Sequence, residues 1–252
     1  MNMTNEKLDR LRRFIDESRR AVVFTGAGIS TESGIPDFRS PGGIWEQYKP
    51  INFQDFVASE QMRIESWRRR FAMDEMLRAA RPNEGHLAVA RLVQTGKVSA
   101  VITQNIDELH QAAGVPPEKV IELHGSTMYA TCLDCAKRFE LEAIRPVFEQ
   151  EQKAPACDAC AGMIKTATVS FGQSMPVAEM EAARDEAMAC DLFFSLGSSL
   201  VVYPAAGFPE IAKRNGARLV IINRDPTGMD HMADLVIHDD IGKTLSAVVP
   251  VQ

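Results

Sequence analysis

Apolar residues recur along this chain in two rhythms. From Asn5 to Arg20, Leu8, Leu11, Phe14 and Ile15 fall on one stripe among Arg, Lys, Asp and Glu, the spacing of a surface helix laid against a core. Ala21 to Phe24 is an unbroken apolar run with β-branched residues, which predicts a strand buried on both faces, as in a parallel sheet. Similar short runs recur at Val98–Thr103, Val120–Leu123, Ala167–Phe171, Asp191–Leu196, Arg218–Ile222 and Leu235–Ile237. Strands alternating with helical stretches predict an α/β fold, a Rossmann-like parallel sheet with helices on both faces.

Two stretches break this rhythm. From Pro41 the sequence is irregular and then helical to about Ala80, with Trp45, Tyr48, Phe53, Phe56, Trp67 and Phe71 supplying the bulk of a small helical module. The second stretch carries four cysteines. The expected division is residues 1–40, 90–127 and 167–252 for the sheet domain, with 41–89 and 128–166 together forming a small domain. Arg68-Arg69-Arg70 reads as a solvated helix face. Pro82-Asn83 marks a boundary, and a helix resumes through His86, Leu87, Val89 and Leu92 until Gly96. His86 and His110, among helix-forming apolar neighbours, read as core or capping histidines.

The first strand stops at glycine. Gly26, Ala27 and Gly28 let the backbone turn sharply and approach a ligand, and Ser30 and Thr31 begin a helix whose free N–H groups attract phosphate. A dehydrogenase fingerprint needs a third glycine where Thr31 stands and an acid about 20 positions later. Neither is evident, so on the glycines alone an ordinary Rossmann-type turn and a phosphate cradle both stand. Ser33 to Arg39 adds a rigid loop bearing Asp37, Phe38 and Arg39. Gln104-Asn105-Ile106-Asp107, His124, Gly197-Ser198-Ser199 and Asn223 each follow a predicted strand. Ligands bind beyond the carboxyl ends of such strands, so these motifs are expected to converge on one crevice.

Composition narrows the function. At 252 residues and net charge −6 the chain lacks the basic field of a nucleic-acid or anionic-membrane binder, and the charge suits a cationic partner such as a lysine-containing tail. No apolar run reaches the roughly 18 residues of a membrane span. Met1-Asn2-Met3-Thr4 leads into a charged helix, so a cytoplasmic location is expected. Five cysteines without a secretion signal argue against a disulfide framework. Cys132-x-x-Cys135 and Cys157-x-x-Cys160, separated by 21 residues, are instead the pattern of a closed tetrathiolate Zn²⁺ site, structural because four thiolates leave no open position. Cys190 reads as a core thiol. Lys137, Arg138 and Lys153 are offset by Asp134, Glu140, Glu149 and Glu151, which disfavours a zinc-ribbon reader of nucleic acid.

Residues Gly26–Arg39 (GAGISTESGIPDFR) with Gly43-Ile44-Trp45, Gln104–Asp107, His124-Gly125, the four cysteines, Phe171-Gly172, Gly197–Ser199 and Asn223 resemble, in order and over nearly the whole chain, the signature of the sirtuins, NAD-dependent protein-lysine deacylases. The resemblance implies that the acyl oxygen of a substrate lysine attacks the nicotinamide ribose, that the acyl group passes from lysine to ADP-ribose, and that nicotinamide, O-acyl-ADP-ribose and free lysine result. It makes His124 the general base, a role an imidazole with an ordinary pKa near 6.5 suits. Asn105 and Asp107 would orient ribose or water and hold the nicotinamide amide, with Ser30 beside them. Gly26, Ala27, Gly28, Thr31, Gln104, Ile106, Gly197, Ser198 and Ser199 would line the cofactor. Asp37, Phe38 and Arg39 would order over it, Phe38 shielding the reactive carbon. Asn223 would bind the adenosine ribose, with Arg224 and Ile241 nearby. Val169, Phe171 and Gly172 resemble the edge on which the acylated peptide pairs.

Two departures matter. Gln173 stands where the family has Glu, and Ser66 and Trp67 occupy the neighbourhood of the tunnel Tyr of desuccinylating members, with Arg69 and Arg70 the only arginines three positions on. A neutral acyl group is therefore expected. The alternatives are transfer of ADP-ribose to a protein from the same crevice, or a non-catalytic NAD-sensing or zinc-ribbon interaction module. No nucleophile elbow is present, and the presence of His124 and Asn105 disfavours the non-catalytic reading.

Overall fold

Apolar runs bounded by polar turns give, in chain order, β1 (Ala21–Thr25), β2 (Val98–Thr103), β3 (Val120–Glu122), β4 (Gly125–Cys132), β5 (Arg138–Glu140), β6 (Ile164–Thr168), β7 (Leu192–Leu196), β8 (Arg218–Ile222) and β9 (Leu235–Ile237). The computed structural model describes residues 3–249; Met1 and Asn2, part of the lead expected from sequence, lie outside the described residues. Six strands pair in parallel in the order β3-β2-β1-β7-β8-β9, and three form an antiparallel sheet, β5-β4-β6. Among the described residues no helix is long and apolar enough to cross a membrane.

β1 lies in the middle of the parallel sheet, paired with β2 on one side and β7 on the other, and all five of its residues are buried. Successive side chains of a strand point to opposite faces. Ala21 and Val23 accordingly join one core, with Leu11 and Ile15 of the first helix (Met3–Glu17), Val89, Leu92 and Val93 of the helix Glu84–Gln94, and Leu245 of the helix Ile241–Ser246. Val22 and Phe24 join the other, with Ala183 and Ala187 of the helix Val177–Ala189 and Phe208 and Ala212 of the helix Phe208–Arg214. Each fully buried large apolar side chain contributes about 1.5–3 kcal/mol relative to exposure.

A third core belongs to the antiparallel sheet. Trp67 and Phe71 from the helix Glu60–Ala72 pack with Ala130, Ile164, Leu141, Ile144 and Phe148, and the indole N–H of Trp67 donates to the Ile164 carbonyl at 3.3 Å. This helix is therefore held to β6 by both an apolar face and a buried polar contact.

The sequence expectations need four corrections. The first helix ends at Glu17 and not at Arg20, because the Asp191 carboxylate captures Ser18 Oγ at 2.5 Å and the Arg19 and Arg20 amides at 2.8 and 3.3 Å. The turn after β1 is a 3₁₀ helix that starts at Ala27, ahead of Ser30. The strand expected at Ala167–Phe171 lies at Ile164–Thr168 and belongs to the antiparallel sheet; beyond Thr168 the chain leaves that sheet, with the Val169 amide bonded to the His124 carbonyl at 2.8 Å.

The fourth concerns the arginine run, which is only partly solvated. Arg68 is exposed, but the side chain of Arg70 is 6% accessible and that of Asp74 5%. Arg70 donates through Nε to the Thr127 carbonyl at 2.9 Å and pairs with Asp74 at 3.0 Å, while Arg78 and Arg145 pair with the other Asp74 oxygen at 2.7 and 2.9 Å. One carboxylate thus ties the helical segment to β4 and to the helix Leu141–Glu151.

Asp74→Ala strands the buried Arg70 guanidinium, and loss of one partner of a buried pair costs about 3–5 kcal/mol. A urea midpoint reduced accordingly is the expected result, whereas Arg68→Ala on the open face is expected to stay within about 0.5 kcal/mol.

Candidate active site and metal centre

Strand order reverses between β1 and β7, and there the carboxyl ends of the strands open into a cleft of about 630 Å³. Its floor is backbone on backbone. The Gly26 amide donates to Leu196 at 3.0 Å and the Gly28 amide to Gly197 at 2.8 Å. A Cβ on Gly28 would lie 2.7 Å from the Gly197 Cα, and one on Gly197, whose φ is +64°, would lie 2.4 Å from the Ile29 nitrogen. Two glycine motifs 170 residues apart in sequence therefore form one turn, and side chains cannot enter between them.

Beside this floor sits a buried polar pocket. The Asn105 side-chain amide donates to the Gly26 carbonyl and to Ser30 Oγ, both at 3.1 Å. Ser30 Oγ donates to Asp107 Oδ2 at 2.7 Å, and Asp107 Oδ1 accepts the Leu109 amide at 3.1 Å. Burial pushes the Asp107 carboxyl above its ordinary value of 3.8 against these hydrogen bonds. Gln104 is fixed at both ends, by its amide to Thr25 at 2.9 Å and its side chain to Ser198 Oγ at 2.8 Å.

His124 stands where β3 gives way to β4. Its Nδ1 is 2.8 Å from the Gln104 carbonyl. A carbonyl only accepts, so Nδ1 carries the hydrogen, and in the neutral ring Nε2 is left with a free lone pair. Burial lowers the pKa below 6.5, partly offset by that contact, so the ring is neutral at pH 7. Gly125 follows with φ +71° and a Cβ there would lie 1.9 Å from the Ala167 carbonyl, so the missing side chain lets β6 close against the start of β4, where Gly125 pairs with Thr168.

Three segments wall the cleft. In the loop after the glycine turn, Asp37 Oδ1 accepts the Arg39 and Ser40 amides at 2.9 and 2.7 Å. Phe38, Trp45 and Phe171 form an aromatic row with centroids 5.7 and 5.6 Å apart, and the Arg39 guanidinium lies 4.2 Å from the Trp45 ring centroid. The second segment is Thr168–Gln173, where Gly172 accepts from Gln54 at 3.1 Å. The third is Val202, Tyr203 and Pro204.

Of the residues expected from sequence, Gly26, Ala27, Gly28, Thr31, Asp37, Phe38, Arg39, Gln104, Asn105, Ile106, His124, Val169, Phe171, Gly172, Gly197, Ser198, Ser199, Asn223, Arg224 and Ile241 all line this cleft. Ser30 and Asp107 lie just behind its wall, bonded to each other. Sequence reasoning missed Trp45 as a wall residue and the whole third segment; an apolar Val201-Val202-Tyr203 after a glycine-serine turn was the available signal. His86 is a capping histidine, its Nδ1 accepting the Asn83 amide at 3.4 Å, but its Nε2 also lies 3.5 Å from Ser30 Oγ. Burial lowers the pKa of His86 to about 4 and of His110 to about 3, so both stay neutral.

The four cysteines form a separate centre. Each Cys-x-x-Cys turn closes the same way: the Ala136 amide bonds to Cys132 at 3.1 Å and the Ala161 amide to Cys157 at 2.8 Å, with both alanines at φ near +58°. The sulfurs lie within 4.8 Å of one another, Cys132 to Cys160 at 3.5 Å and Cys135 to Cys157 at 3.6 Å. Zn–S bonds of about 2.3 Å put tetrahedral sulfurs about 3.8 Å apart, so the cage fits one structural Zn²⁺. The cleft likewise fits a dinucleotide, with a glycine-floored turn between a buried amide–carboxylate pocket and a strand-end asparagine.

A sequence profile described as the Sir2 family matches residues 26–204. The chain is similar to NAD-dependent protein deacetylase 1 of Bradyrhizobium diazoefficiens, 60% identical over 242 residues covering 96% of this chain and 95% of the relative. It is 57% identical over 242 residues to the NAD-dependent protein deacetylase of Rhodopseudomonas palustris, covering 96% of each. A solved structure of a Sir2 variant with a deacetylated p53 peptide and 3′-O-acetyl ADP ribose superposes with a TM-score of 0.87 at 38% identity, covering 97% of this chain and 99% of that one.

Cys132→Ala is expected to abolish stoichiometric zinc, read by elemental analysis, and to lose the fold of the antiparallel sheet, read by circular dichroism. Metal-free protein that stays folded and active would refute a structural role.

Proposed function

The chain belongs to the Sir2 family and is an NAD-dependent protein-lysine deacetylase/deacylase, and from that premise we propose that His124 is its general base and that the cleft walls divide cofactor from peptide. When bound, NAD would supply an activated ribose that accepts the acyl oxygen of lysine as nicotinamide leaves, and with one water consumed to release the amine the products would be O-acyl-ADP-ribose and free lysine. In this reading the Gly26–Gly28 turn and Gly197–Ser199 hold the phosphates. Ser30, Asn105 and Asp107 hold the nicotinamide end, and Asn223, Arg224 and Ile241 the adenosine end. Phe38 excludes water from the reacting carbon, and His124 Nε2 takes a proton from a ribose hydroxyl.

One observation carries the reading. The Gln104 carbonyl fixes the His124 tautomer with Nε2 free, while the His124 carbonyl accepts the Val169 amide, so the base and the peptide edge share one residue. Val169, Phe171 and Gly172 then pair with the acylated peptide through backbone, which tolerates many sequences. A neutral acyl group suits the tunnel: Trp67 is buried against Ile164, Arg69 pairs with Glu65 at 2.7 Å and Arg70 with Asp74, so neither arginine is available to an acidic acyl chain. The side chain of Gln173 accepts the Ser170 amide at 3.1 Å and shapes the same edge without charge. We assign 41–89 and 128–166 to one small domain set on the sheet domain. The thiolate cage suits a reducing compartment such as the cytoplasm.

Deacetylation of an acetylated peptide with NAD, followed by mass spectrometry, tests the reading: O-acetyl-ADP-ribose and nicotinamide are expected, and ADP-ribose fixed on protein would favour the transferase alternative. His124→Ala is expected to lower kcat by about 10²–10⁴-fold while NAD still binds; near-normal turnover would remove the base assignment. Because a base works deprotonated and burial sets the His124 pKa below 6.5, kcat is expected to rise from acid with its midpoint below pH 6.5 and to stay on the plateau at higher pH.

A further inference from the structure

We propose that the Arg224–Asp240 ion pair, set among uncompensated carboxylates, makes the adenosine end of the cleft select NAD against its 2′-phosphorylated counterpart, NADP. The inference rests on the reading that this cleft holds NAD.

In doubly wound sheets the ribose 2′-hydroxyl is read at a strand end beside the phosphate turn, by an acid or amide, and a nearby arginine is what accommodates a 2′-phosphate. Here the strand is β8. Asn223 follows its last residue, with its side-chain amide donating to the Asp225 carbonyl at 2.7 Å, and Arg224 comes next. That arginine is the group a 2′-phosphate would need, but its Nε donates to Asp240 Oδ1 at 2.7 Å.

The remaining charges there are acidic. Glu32, Asp225 and Asp239 all line this end of the cleft. Asp239 is paired with Lys243 at 2.9 Å. Glu32 accepts the Gly242 amide at 3.3 Å, and among the described residues neither Glu32 nor Asp225 has a cationic partner. The two ion pairs cancel, leaving a balance of two negative charges around the strand end. A phosphomonoester adds about 1.5–2 more negative charges near neutral pH. The 2′-hydroxyl of NAD carries none. An exposed ion pair is itself weak, so what matters is that Asp240 cancels the only guanidinium in the group. Removing the Asp240 charge leaves a balance of one negative charge, and removing that of Arg224 as well restores two.

The full chain is assayed with an acetylated-lysine peptide, with kcat/KM taken for NAD and for NADP and the binding of each dinucleotide measured by calorimetry. The parent protein is expected to prefer NAD by at least about a hundredfold, and Asp240→Asn to narrow that ratio about tenfold, as one unit of charge at a partly screened site allows. Asparagine caps a helix as well as aspartate does, and Asp240 makes no side-chain capping bond, so the helix Ile241–Ser246 keeps its start. Asp240→Asn with Arg224→Ala is expected to return the ratio to the parent value. The proposal is overturned if the parent uses both dinucleotides within about threefold, if Asp240→Asn leaves the ratio unchanged, or if the double variant keeps the gain. Absence of NAD-driven turnover in the parent would strike the deacetylase reading instead, and the calorimetric affinities would still decide between the two dinucleotides.

Discussion

The close approach of two backbone turns at the centre of the parallel sheet is the constraint on which the rest of the molecule depends. The Gly28 amide reaches the Gly197 carbonyl at 2.8 Å, and no side chain fits between the turns. Because β1 and β7 are neighbours with chain connections leaving in opposite directions, their carboxyl ends form a crevice and not a closed edge. The polar motifs that follow β2, β3, β7 and β8 are carried into that crevice by the register of the sheet alone.

His124 joins this parallel sheet to the antiparallel one. Its side chain is set by a carbonyl at the end of β2, and its own carbonyl holds the first residue past β6. Whatever fixes β6 therefore also fixes the edge beside the imidazole. The fixing comes from behind: the thiolate cage at the far end of β4, the Trp67 contact to Ile164, and the Asp74 hub that draws Arg70 onto the Thr127 carbonyl. The metal centre and the cleft share no ligand, yet they share strands β4 and β6.

Burial sets the electrostatics of the site. His86, His110 and His124 are all pushed toward the neutral form by loss of solvent, and Asp107 is pushed the same way. Burial thus disfavours charge throughout this pocket, while hydrogen bonds from Ser30 and the Leu109 amide oppose that push at Asp107. Charge is kept at the rim, on Asp37 and Arg39 in the loop and on Glu32, Arg224, Asp225 and Asp239 at the opposite end.

The sequence determined the class of fold and most of its strands, because apolar runs bounded by turns are local signals. β2, β8 and β9 lie where those runs predict them, and the paired Cys-x-x-Cys turns needed only their own spacing to imply a cage. It also named most of the side chains that line the cleft, through motifs at strand ends. The tertiary structure decided the remainder. Only long-range pairing could assign Ile164–Thr168 to the antiparallel sheet, draw Arg70 out of solvent through an acid and a carbonyl, and bring Val202–Pro204 and Val169 to the same cleft. Local periodicity reports which face of a segment is apolar; it does not report which distant segment covers that face, and that choice rests on packing among residues far apart in the chain.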